Sequence, residues 1–241
     1  SPVYALTAAI IVILAISMFS AMLVLPIYLQ SIRGFTPLES GLLMLPGAIV
    51  MGLMSPVTGK IFDRYGGKVL AIMGLAIVVI TTYLLAHLSA STTYLSLIVI
   101  YAIRMLGVSM VMMPIMTMGL NSLPKRNYPH GTAMNSTLQQ ISGAFGTSLM
   151  ISVMSSRAEM HAKEMINPSV MPTHSDLAAW KQQIMVDATI KGMDDAFWVA
   201  TGIAMLGFIL ALFLKENRGK KDSKKISKPV QVVAEEVGSH S

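Results

Sequence analysis

The sequence predicts an all-α integral membrane protein, and three observations carry that expectation. Hydrophobic residues make up 54% of the 241 residues and charged ones only 12%, with a mean hydropathy of +0.63, which leaves too little polar surface to coat a water-soluble globule. Six apolar stretches reach spanning length, at about 4–29, 38–58, 69–89, 93–119, 131–155 and 194–214, each near or above the ~20 residues that cross a hydrocarbon core. The ~10-residue alternating pattern of an outer-membrane barrel is absent, so the helix is the element that satisfies its own backbone in lipid.

Taken in order, the first span ends near Pro26 and turns through Arg33-Gly34-Phe35-Thr36-Pro37 into the second, which contains Pro46 and Pro56. Each proline removes a backbone donor and can bend its helix, but neighbouring helices re-satisfy freed groups, so one proline alone marks no function. Residues Gly59 to Lys68, reading Gly-Lys-Ile-Phe-Asp-Arg-Tyr-Gly-Gly-Lys, form a charged, glycine-rich hinge before the third span. The short turn Leu88 to Thr92 leads to the fourth span, which ends near Pro114, and Lys125 and Arg126 connect it to the fifth. From about 157 to 193 a charged stretch with Pro168 and Pro172 is expected as an external loop, with a short interfacial helix on Leu177, Trp180 and Ile184. Residues 1–216 thus form one bundle, and the polar residues 217–241 are expected as a disordered basic tail.

Lys and Arg placement sets the orientation. The hinge (Lys60, Arg64, Lys68), the fourth connection (Lys125, Arg126) and the tail (Lys215, Arg218, Lys220, Lys221, Lys224, Lys225, Lys228) share one side if there are six spans. The opposite side holds Arg33, Arg157, Lys163, Lys181 and Lys191, offset by six carboxylates of the long loop. Both termini are therefore expected to be cytoplasmic. The net charge of +6 sits on the face where anionic lipid attracts basic residues, and no nucleic-acid partner is needed to explain it. With no cysteine, disulfide and thiol chemistry are excluded. The chain starts Ser-Pro-Val-Tyr with neither a basic n-region nor an initiator Met, so a fragment lacking an amino-terminal part is expected.

In the hinge, Gly59 and the Gly66-Gly67 pair permit a tight reversal. Asp63, just ahead of the next span, is placed to accept from helix-end donors. Arg64 and Lys68 can pair with carboxylates or helix C-termini across the same face. This stretch resembles the loop motif of the major facilitator superfamily, Gly-x-x-x-Asp-Arg-x-Gly-x-Lys/Arg, with Gly59, Asp63, Arg64, Gly66 and Lys68 in place. Two residues depart from it: Gly67 stands where a basic or larger residue is frequent, and Phe62 where a small one is usual. The resemblance implies a cytoplasmic gate element between the second and third helices of a six-helix half. Six spans, the long outer loop and the run Gly131-Thr-Ala-Met-Asn-Ser-Thr-Leu-Gln-Gln-Ile-Ser-Gly143 are similar to the carboxy-terminal half of the fourteen-helix drug:proton antiporters, a branch that exports quaternary ammonium compounds and lincomycin-type antibiotics. The fold expected is six transmembrane helices forming one half of a major facilitator fold.

Arg104 is a charged side chain deep in a span, about twelve residues into the fourth helix and roughly 18 Å along its axis. A charge near the bilayer midplane must face protein or a wet cavity. Tyr101, Gly107 and Val108 share its helical face. Arg104-x-x-Gly107 partly resembles the arginine motif of the family's first half that is associated with proton coupling, without its glutamine and one spacing residue. Two readings stand open: a structural arginine bonded to carbonyls or amides, and a residue of the transport path or of coupling. The fifth span carries a polar stripe, Asn135, Gln139, Ser142 and Gly146, flanked by Thr132, Ser136, Gln140 and Gly143, with Met134, Leu138, Ile141 and Phe145 opposite. It is expected to face the bundle interior, for packing or as part of a translocation path in which Asn135 and Gln139 are the candidates. Six of the 21 methionines crowd the fourth span between Met105 and Met118. As flexible thioethers they suit both core filling and a promiscuous drug cavity.

All twelve Asp and Glu residues fall in loops, at helix ends or in the tail. No span interior holds a proton carrier or cation counter-ion, so the acids of a proton antiporter are expected in a missing amino-terminal half. His87, at the outer end of the third span, is a candidate for proton handling, but a histidine at such a place is commonly structural. No phosphate loop, clustered metal ligands or activated nucleophile is present, so neither an enzyme, a cofactor nor a metal is expected. The function implied is part of an exporter of small hydrophobic or cationic drugs, working with protons by alternating access. The partners implied are the lipid bilayer, the drug, protons, and the missing half or another chain, and the place implied is the cell membrane. The alternatives are a major facilitator porter for a metabolite or nutrient, and a non-transporting half or membrane scaffold.

Overall fold

The computed structural model describes residues 2–87, 92–166 and 177–214. The described residues contain no strand, and long helices account for nearly all of them. Helix α1, Pro2–Ile27, runs on through a π-helical turn at Tyr28–Ile32, just beyond Pro26. Pro26 has no N–H to give, and a widened turn is one way a helix absorbs that loss.

Helix α2, Pro37–Tyr65, starts from a capping box. Thr36 Oγ1 accepts from the Glu39 N–H at 3.3 Å, and the Glu39 carboxylate accepts from the Thr36 N–H at 2.7 Å. Pro46 and Pro56 lie inside α2. Helix α3, Gly67–Leu85, follows after Gly66 alone, so the ten-residue hinge expected from sequence is mostly helix. Its charged residues extend α2, and a reversal needs only one residue in the left-handed region, which Gly66 supplies with φ of 85°.

Helix α4 is Tyr94–Asn121, and a 3-10 turn at Lys125–Asn127 leads into α5, Tyr128–Met165, and then α6, Leu177–Leu212. The external loop expected at about 157–193 is therefore replaced over most of its length by the end of α5 and the start of α6. The residues of the expected interfacial helix, Leu177, Trp180 and Ile184, are the first turns of α6. Ala, Met, Glu, Lys and Gln dominate these segments and favour helix, and side-chain pairs secure them. Lys163 Nζ donates to Glu159 at 2.7 Å within α5, while Arg157 and His161 reach Asp195 of α6 at 3.7 and 3.0 Å. Part of the Leu88–Thr92 turn and the 217–241 tail lie outside the described residues.

Helix α1 is central and packs on α4, α5 and α6; α3 packs between α4 and α6, and α2 lies chiefly on α4. Two apolar clusters fill the bundle. One gathers Leu25, Tyr28, Leu43, Leu97, Tyr101 and Phe197, and the other Ile10, Leu75, Val78, Val108, Ile115 and Ala204. Close approach of α3 and α4 is built on paired glycines: a Cβ on Gly74 would stand 2.6 Å from the Gly107 carbonyl oxygen. Among the described residues, α1 with its π turn, α2, α3, α4 and α6 are long and apolar enough to cross a membrane, which makes this a multi-pass membrane protein. Helix α5 has the length, 38 residues, but its polar stripe lowers its hydropathy. It packs along α1 and α6 like the others.

Candidate functional site

The hinge residues end up on two helix ends that meet at Gly66. Lys60, Asp63 and Arg64 are exposed on the last turns of α2, and Lys68 is half-buried on the first turn of α3. Asp63 does not cap α3, whose N-cap is Gly66 with no side-chain bond. Among the described residues it has no hydrogen-bond or ion-pair partner, and the Arg64 guanidinium stands 5.4 Å from the centroid of the neighbouring Tyr65 ring. A Cβ on Gly59 would meet nothing within 4 Å, so its place on α2 leaves open space. Gly67 differs. A Cβ there would run into Met118 Sδ of α4 and stand 2.8 Å from Phe62 Cε2. The two departures from the loop motif, Phe62 and Gly67, are thus neighbours in space.

Arg104 is fully buried between α1, α3 and α4. Its Nη1 donates to Thr82 Oγ1, and Nη2 donates to the Ser17 carbonyl at 2.7 Å and to Ser17 Oγ at 2.9 Å. Nε has no partner among the described residues. These neutral oxygens accept the guanidinium protons without cancelling the charge, and the arginine becomes a three-helix tie. Tyr101 and Gly107, on the same face, also meet neighbouring helices. The Tyr101 ring fills the space over Gly47 of α2, where a Cβ would lie 2.6 Å from its carbons, and Gly107 is the contact to Gly74. The face that Arg104 shares with Tyr101 and Gly107 is thus closed by neighbouring helices.

On α5 the stripe divides. Asn135, Ser142, Gly143 and Gly146 are buried, Gln139 is half-buried, and Thr132, Ser136 and Gln140 are exposed. Gly146 lets α5 approach α1 to the point where a Cβ would lie 2.8 Å from Ile16 Cα. The Tyr4 hydroxyl lies 3.0 Å from both the Gly131 carbonyl and Asn135 Oδ1, while Asn135 Nδ2 has no partner among the described residues. Gln139 Nε2 is 3.8 Å from Met112 Sδ. A cleft of about 30 Å³ opens between Ile11, Met112, Met116, Asn135, Ser136 and Gln139, enough for about one water-sized group. The structure therefore brings Asn135 and Gln139 together with two thioethers of α4, and leaves Arg104 out of that cleft. Ser17, Thr82 and Tyr4 escaped the sequence reading because no local signal places them: Tyr4 and Asn135 are 131 positions apart.

Comparison with known proteins follows the same lines. Residues 1–147 match the family model of the Major Facilitator Superfamily. The chain is 38% identical over 249 aligned positions to the uncharacterised MFS-type transporter YhcA of Bacillus subtilis, covering 92% of this chain and 47% of the relative. It is 42% identical to YcnB, another uncharacterised MFS-type transporter of that organism, over 80% of this chain and 37% of the relative. To the lincomycin resistance protein LmrB of Listeria monocytogenes it is 36% identical, over 90% of this chain and 44% of the relative. The chain spans about half the length of, or less than, these curated relatives.

Proposed function

Because the chain belongs to the major facilitator superfamily, we propose that it is one six-helix half of a multidrug exporter that moves small hydrophobic or cationic drugs out of the cell by alternating access, coupled to protons. The observation that carries this reading is the 36% identity to a lincomycin resistance protein over 90% of the chain, with the loop motif intact at Gly59, Asp63, Arg64, Gly66 and Lys68. The half sits in the cell membrane with both termini of this segment cytoplasmic, as the Lys and Arg distribution favours.

The second half is a separate six-helix unit, and the open sides of α2 and α5 are the surfaces that meet it. Gly41, Gly52 and Gly59 on α2 have space above them, and Thr132, Ser136 and Gln140 on α5 are polar and exposed, a combination poorly suited to lipid. Asp63 and Arg64, exposed on the inner end of α2, act in the cytoplasmic gate and find their partners across that junction. Asn135 and Gln139 line the path. Arg104, with Tyr101 and Gly107, holds the half together from inside, and the acids that carry protons belong to the other half. In drug-sensitive cells carrying the full-length transporter, Asp63→Asn abolishes resistance without lowering the amount of protein in the membrane; wild-type efflux by that variant refutes the gate assignment.

A second reading follows from the chain's share of its relatives' length. Alone, the 241 residues supply one wall of a two-walled cavity and act as a membrane scaffold. Drug flux into vesicles holding only this chain overturns that reading.

A further inference from the structure

Three residues meet where α2, α3 and α4 converge at the hinge. Gly67, the first residue of α3, is buried; the Phe62 ring of α2 and the Met118 thioether of α4 both reach into the space a Cβ on Gly67 would take. Neither partner has a backbone atom there, so the volume over Gly67 is filled by two side-chain ends. Phe62 stands directly before Asp63 and Arg64.

Towards this end α2 buries one residue fully, Thr58, one turn before Phe62. The helix packs on α4 far more than on α3 or α1. Its central contact is Gly47 under Tyr101 and Met105, and beyond it Gly52 and Gly59 meet nothing within 4 Å. Pro56 removes a backbone donor in the same segment. Beyond Thr58 the last turn, with Asp63, Arg64 and Tyr65 exposed, still needs an anchor to keep it in one place.

We propose that Phe62, Gly67 and Met118 form a size-matched seat that anchors the inner end of α2 on α4 and positions the Asp63–Arg64 pair. In this seat the large residue at 62 and the absent side chain at 67 are one packing solution, and the two positions exchange volume. They are positioning residues: they touch neither drug nor proton. The inference concerns where the hinge is held and stands whether or not Asp63 gates.

The cysteine-free chain permits a direct test. Spin labels on Tyr65→Cys at the end of α2 and Asn121→Cys at the end of α4, both exposed, report the α2–α4 distance in the full 241-residue chain in nanodiscs. One narrow distance peak is expected. Gly67→Leu is expected to shift or broaden it, and adding Phe62→Ala to Gly67→Leu restores the original peak. Met118→Ala in the Gly67→Leu background gives a second route to relief should the first double variant fail to fold. A broad peak in the parent chain, an unchanged peak in Gly67→Leu, or relief by neither second substitution overturns the seat. Failure of Asp63→Asn to affect efflux leaves these distances untouched, so the two readings fail separately.

Discussion

Arg104 offers the sharpest quantitative test, because truncating it and neutralising it have different consequences. Arg104→Ala removes three hydrogen bonds, to Thr82 Oγ1, the Ser17 carbonyl and Ser17 Oγ. At about 0.6 kcal/mol for an average bond between membrane helices, that is roughly 2 kcal/mol. The void left in a fully buried site adds about 2 kcal/mol more, for a total near 4 kcal/mol. Arg104→Met loses the same bonds but fills most of the space. Both substitutions remove a buried charge that no carboxylate offsets among the described residues, and that relief, several kcal/mol, offsets the losses of the two equally. The Thr82 hydroxyl keeps a partner, since its Oγ1 donates to the Val78 carbonyl at 2.6 Å. The expected order is Arg104→Met within ~1 kcal/mol of the parent chain and Arg104→Ala about 2 kcal/mol below Arg104→Met, the difference being the void. Reversible unfolding in mixed micelles, followed by circular dichroism, measures both. If Met is as damaging as Ala, the charge itself is needed and the tie by neutral oxygens is the wrong account.

Three further outcomes follow from the packing. Asn135→Leu gives up one bond to Tyr4 and one unpartnered donor together, so unfolding stability changes by less than ~1 kcal/mol. Drug efflux by the full-length transporter falls at least about tenfold, some 1.4 kcal/mol, if the cleft lines the path, and unchanged efflux removes Asn135 from it. His161→Ala loosens the facing ends of α5 and α6 by ~1 kcal/mol or less, because His161 and Asp195 are 22% and 35% exposed. Faster amide exchange confined to residues near 157–165 and 187–195 checks it, and uniform exchange along both helices counts against it. Gly52→Leu leaves the chain alone as stable or more so, since nothing stands within 4 Å of the new Cβ and leucine favours helix by up to ~1 kcal/mol over glycine. In the full-length transporter the same change lowers efflux by crowding the facing half, and wild-type efflux there shows that this side of α2 is not a contact surface.

The membrane class and the helices were legible because apolar runs of spanning length are a local signal, as the run from Tyr94 to Asn121 illustrates. Helix ends were less so. Charged residues at 60–64 and 157–165 look like loop in a hydropathy reading, yet they continue their helices, and at the hinge it is Gly66, with its positive φ, that breaks the chain. At the site, type was readable and partner was not. Arg104 announced itself as a buried charge, but Ser17, 87 positions away, carries no mark of its role. Phe62 and Gly67 looked like two independent exceptions until α4 brought Met118 between them.

The same contacts say why a half of this kind can move as a unit. Alternating access by rocking requires each half to stay stiff while the junction between halves changes. Here stiffness is concentrated inside: Arg104 joins α1, α3 and α4, Gly74 and Gly107 bring α3 onto α4, and Gly143 and Gly146 bring α5 onto α1. None of these contacts uses the open sides of α2 and α5. A buried charge without a counter-charge in reach is costly to keep and costly to break, so it resists partial separation of the three helices more sharply than an apolar contact of equal area. Helix α2 is the exception, lying chiefly on α4 and carrying Pro46, Pro56 and three glycines with free space above them. If any helix bends relative to the rest of the half, it is α2, and the proposed seat of Phe62, Gly67 and Met118 is what would limit the bend at its Tyr65 end.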